Sequence, residues 1–61
     1  MQLTHSQIAL GAVLKIGKKY NLELTDFLNV ERFVEALLSS NLHSIDRLIV
    51  LGYKQTYLTK E

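Results

Sequence analysis

The sequence predicts an all-α protein, a small bundle of about three helices completed by homodimerisation. Three observations carry that expectation. Apolar residues recur at three- and four-residue spacing in three separate stretches, each preceded by a residue suited to capping a helix. No proline interrupts the chain. The 61 residues include no cysteine, so a core this thin is reinforced neither by disulfides nor by a thiolate-bound metal, and a partner subunit is the remaining device. Residues 1–61 are read as one domain, because no low-complexity tract, repeat or shift in composition divides them.

The first helix is expected over residues 5–20. Thr4 is a good N-cap and Gln7 stands where a capping box needs it, with Leu3 placed to staple onto Ile8. Ile8, Ala12 and Ile16 then fall along one face, flanked by Ala9, Val13 and Tyr20. Lys15, Lys18 and Lys19 gather towards the C-terminal end, where cations complement the helix dipole.

The second helix has the cleanest pattern in the chain. Val30, Phe33, Val34, Leu37 and Leu38 follow the i, i+3, i+4, i+7, i+8 order of a single apolar stripe. Asn29 or Thr25 supplies the cap, and Asn41 is the expected left-handed residue at its end. In the third stretch Ser44 is the expected N-cap, and Ile45, Leu48, Ile49 and Leu51 support a short helix to about Leu51. Gly52 then reads as a C′ glycine with Tyr53 closing the motif. Residues 53–59 have strand propensity, but a lone strand lacks a neighbour, so a short helix from about Lys54 is preferred.

The first helix carries more apolar surface than one core-facing stripe requires. Stepped at about 100° per residue, Ile8, Ala9, Leu10, Ala12, Val13, Leu14, Ile16 and Tyr20 fill an arc of roughly 240°. The third stretch repeats this, being apolar all round except at Asp46 and Arg47. Surplus apolar surface of this kind marks an interface. The expected dimer or partner contacts are therefore Leu10, Val13, Leu14 and Gly17 on the first helix, and Ile49, Val50, Tyr53 and Tyr57 in the third stretch. Gly17 projects into the apolar arc, where a missing side chain would let another backbone come close.

Catalytic chemistry has little to stand on. His5 and His43 share no metal-ligand spacing and have no evident carboxylate or serine partner. Glu31 and Glu35 share a helix face, which reads as a wet surface, and the scattered glycines make no phosphate loop. No enzymatic activity and no cofactor are expected. Residues 1–7 lack a basic n-region and the uninterrupted apolar runs are too short for a signal or a span, so a cytoplasmic setting without membrane contact is expected.

The expected function is that of a non-enzymatic regulator or adaptor, acting as a homodimer through contact with another protein. The alternative is a small dimeric DNA-binding regulator. Lys15, Lys18 and Lys19 would form its basic patch, and a helix-turn-helix at 45–61 would turn at residues 51–53 and present Gln55, Thr56 and Lys60 to DNA. A net charge of +1 is a weak footprint for that role.

Overall fold

A computed structural model describes residues 3–58 as an all-α bundle of three helices. α1 runs His5–Lys19, α2 Val30–Ser39 and α3 Ser44–Tyr53. A 3₁₀ turn at Leu24–Asp26 lies between α1 and α2, and a π-helical turn at Lys54–Leu58 extends α3. There is no strand among the described residues, so 53–58 adopt the helical alternative.

The start of α1 forms as its sequence requires. The Thr4 side chain accepts from the Gln7 amide at 3.1 Å, and the Gln7 side chain accepts from the Thr4 amide at 2.9 Å. The far end closes in a Schellman motif. The Leu22 amide reaches back to the Gly17 carbonyl at 2.8 Å and the Asn21 amide to that of Lys18 at 3.1 Å. Asn21 supplies the left-handed residue that this closure needs, with φ of 66°. It is the only non-glycine residue with positive φ among the described residues, so the two places expected to hold such an ending, Asn41 and Gly52, do not. At Asn41 the chain leaves α2 through an extended Ser40.

α2 is capped by Asn29, whose side chain accepts from the Arg32 amide at 2.9 Å. Its C-terminal carbonyls are served from α3: the Arg47 guanidinium donates to the carbonyls of Leu38 at 3.2 Å and Ser40 at 3.3 Å. α3 is capped by His43 rather than Ser44, the His43 Nδ1 accepting from the Ile45 amide at 3.5 Å. Helix continues through Gly52, which keeps a negative φ. It widens into a π turn in which Tyr53 and Tyr57 pair with ring centroids 5.2 Å apart, and Tyr57 and Leu58 pack against the core. Burying those side chains favours continuation over the expected stop.

The core consists of Val13 and Ile16 of α1, Phe33, Val34 and Leu37 of α2, Leu42 of the linker, and Val50 and Tyr53 of α3. α3 packs against both α1 and α2. Phe33 is wholly buried and meets Phe27 edge-on with centroids 5.7 Å apart. On its other side it presses on Gly17, where an added Cβ would stand 2.5 Å from Phe33 Cζ and 2.8 Å from the Leu22 carbonyl oxygen. The close approach expected at Gly17 is thus made within the chain, by α2 and by the Schellman loop.

This contact separates two glycines of the same helix. Gly17→Ala is expected to lower the unfolding free energy by about 1–3 kcal/mol through overpacking. At Gly11 an added Cβ meets nothing within 4 Å, so Gly11→Ala is expected to raise it by up to about 1 kcal/mol. Denaturant titrations followed by circular dichroism test both signs. Equal effects at the two positions would contradict the packing described.

Candidate functional site

α3 carries two apolar stripes, and the fold buries only one. Val50 and Tyr53 face the core with Asp46 on the same side. Ile45, Leu48 and Ile49 face solvent, 61%, 70% and 44% exposed. In the alternative helix-turn-helix reading Leu48 would face the core; it faces solvent instead.

Asp46 decides the orientation. It lies in the first turn of α3, where an acidic residue is favoured by the helix dipole, and it is buried. Its Oδ2 accepts from the Tyr20 hydroxyl at 2.7 Å and from the Lys19 ammonium at 3.0 Å, both at the end of α1. The Tyr20 hydroxyl in turn accepts from the His43 amide at 2.9 Å. The hydrogen bond from Tyr20 and the one from Lys19 hold the Asp46 carboxyl below its ordinary value of 3.8. The same contact holds the Lys19 ammonium above its ordinary value. Arg47, the other charged residue of α3, is drawn back to α2 as described. With both charges turned inward, the outer face of α3 is apolar and carries no charge between Ile45 and Gly52.

The expected interface residues divide accordingly. Val13 and Val50 are fully enclosed, and Gly17 and Tyr53 are buried. These four belong to the chain's own core and offer no surface, whereas Ile8, on the same arc of α1, stays 56% exposed. Leu10, Leu14 and Tyr57 are half-buried against that core. Ile49 remains on the outside, beside Ile45 and Leu48, which were not among the expected contacts. Leu14 also lines an open groove of about 330 Å³ with Lys18, Leu22, Glu23, Leu24 and Thr25.

The residues expected to meet nucleic acid are not brought together as a motif. Residues 51–53 are helical, so the turn of the expected helix-turn-helix is absent, and Gln55 and Thr56 lie on an extension of α3. Lys15 and Lys18 are exposed, whereas Lys19 is paired with Asp46. Lys60 lies outside the described residues. His5 and His43 are both exposed, and no group of three or more potential metal ligands occurs among the described residues. No described helix is long and apolar enough to cross a membrane.

The signal for the true outer face was present but two-valued. Asp46, Val50 and Tyr53 share one phase of α3, while Ile45, Leu48, Ile49 and Gly52 share another. Only the positions of Lys19 and Tyr20 in space choose between them. No family model matches the chain, and neither a curated protein nor a solved structure matches it.

The network that orients α3 has a pH signature. A carboxyl held below its ordinary value in the folded state stabilises the fold fully above that value, and the contribution is lost as pH falls through the lowered one. Asp46→Asn is therefore expected to be less stable than the natural chain at neutral pH, with the difference shrinking as pH falls below about 3.8. Urea titrations of both proteins across that range check it. A difference independent of pH would show that the Asp46 charge does not contribute.

Proposed function

We propose that this protein is a non-enzymatic interaction module, a small regulator or adaptor that works by contact with other proteins and as a homodimer. The observation that carries this reading is the outer face of α3, where Ile45, Leu48 and Ile49 stand side by side in water. Burying a large aliphatic side chain is worth about 1.5–3 kcal/mol relative to leaving it exposed. Three such residues on one helical face leave much of that contribution unrealised in the monomer, at 61%, 70% and 44% exposure. Single exposed apolar residues are ordinary, whereas a contiguous patch on a small domain is characteristic of a binding surface.

Other features support contact rather than chemistry. The two histidines stand exposed and apart in the chain. The groove beside α1 is open, and its charged lining residues, Lys18 and Glu23, are exposed. The lack of disulfides in so short a chain leaves a second copy as a further source of stability at high concentration.

The mass of the protein in solution tests the reading. Light scattering across a concentration series is expected to rise from 7.0 kDa towards twice that value. Leu48→Lys, at a position 70% exposed, is expected to keep its helical circular dichroism and remain at the monomer mass. A natural chain that stays monomeric at its highest soluble concentration would overturn self-association.

A further inference from the structure

Resting on the reading that the protein self-associates, we propose that two copies pair antiparallel along α3, with a two-fold axis passing between Leu48 and Ile49. The outer face has the pattern this arrangement needs. Ile45 lies three residues before Leu48, and Gly52 lies three residues after Ile49. Antiparallel pairing about that centre sets Leu48 against the partner subunit's Ile49 and Ile45 against the partner subunit's Gly52. The second pairing is a match of bulk to hollow. Ile45 is 61% exposed, and the space over Gly52 is open, with nothing within 4 Å of an added Cβ. Because each copy contributes one bulky end and one hollow end, the two halves of the seam are equivalent, as a two-fold interface requires.

Charge points to the same occupant. Asp46 is committed to Lys19 and Tyr20, and Arg47 to the carbonyls of α2. The face they leave has nothing to offer a phosphate backbone or a charged peptide, and it is matched electrically by another copy of itself. Its size sets the strength of the contact. A ten-residue helix is about 15 Å long, so the seam buries less than the ~800 Å² per partner of a standard interface. The pairing belongs with small, reversible interfaces and dissociates on dilution, with a midpoint on the order of micromolar or weaker.

The chain contains no cysteine, so introduced thiols report the register without interference. Ile45→Cys, Leu48→Cys and Gly52→Cys chains, each checked for unchanged helical circular dichroism, are oxidised alone and as an equimolar mixture of the first and third. The mixture is expected to give a heterodisulfide, and Leu48→Cys a homodisulfide close to the axis. Ile45→Cys and Gly52→Cys alone are expected to give none. Like positions there lie about 10 Å apart along the helix axis, beyond the roughly 7 Å Cα separation that a disulfide spans. Self-crosslinking at 45 and 52 without the mixed product would mean a parallel seam and overturn the proposal. A natural chain that is dimeric by mass while no α3 cysteine crosslinks would place the seam elsewhere, overturning this proposal and leaving self-association intact. A monomer by mass with no crosslink would overturn both.

Discussion

The burial of Asp46 is the constraint on which the exposed apolar face of α3 depends. A carboxylate whose side chain keeps only 13% exposure sits there favourably when donors match it. The end of α1 supplies those donors, the Tyr20 hydroxyl at 2.7 Å and the Lys19 ammonium at 3.0 Å. The buried stripe of α3 offers Val50 and Tyr53 beside Asp46, the exposed one Ile45, Leu48 and Ile49, so hydrophobic burial alone does not select the stripe that is buried. Turning α3 so as to bury Ile45, Leu48 and Ile49 would withdraw Asp46 from both donors and Arg47 from the carbonyls of α2. The polar contacts select the observed orientation, and exposing the Ile45–Leu48–Ile49 face is the consequence.

A second, local constraint fixes how α1 meets α2. Phe33 is the largest fully buried side chain, and it reaches its place only because Gly17 has no Cβ. The Gly17 carbonyl also accepts the closing hydrogen bond of the Schellman motif from Leu22. One glycine therefore ends the helix and admits the ring that fills the core. The turn it allows brings Lys19 and Tyr20 to the place where Asp46 meets them, which links packing at one end of α1 to the orientation of α3.

The helices were legible in the sequence to differing degrees. The Thr4–Gln7 capping box and the single stripe from Val30 to Leu38 are local signals, and they mark α1 and α2 without reference to the rest of the chain. The endings are less local. Asn21, Asn41 and Gly52 all suit a left-handed residue, and the fold uses Asn21 alone because Gly17 and Phe33 require the chain to turn there. At Gly52 the gain from packing Tyr53, Tyr57 and Leu58 outweighs the preference of glycine for a stop. Part of the α1 arc looked surplus because its neighbours were unknown: Val13, Ile16 and Gly17 are internal, while Ile8 and Ala12 stay exposed. On α3, periodicity reports two candidate faces, and the choice lies in contacts between residues 26 and 27 positions apart. Such contacts leave no periodic trace.

We propose the uncharged outer face of α3 as the surface through which this protein binds. Amide nitrogen–proton correlation spectra recorded across a dilution series test it most directly, because they report each residue separately. Binding through this face gives concentration-dependent shifts centred on Ile45, Leu48, Ile49 and Gly52, with the amides of α2 and of the core residues on α1 unchanged. Shifts centred instead on the groove beside Leu14, or spectra independent of concentration, would contradict it.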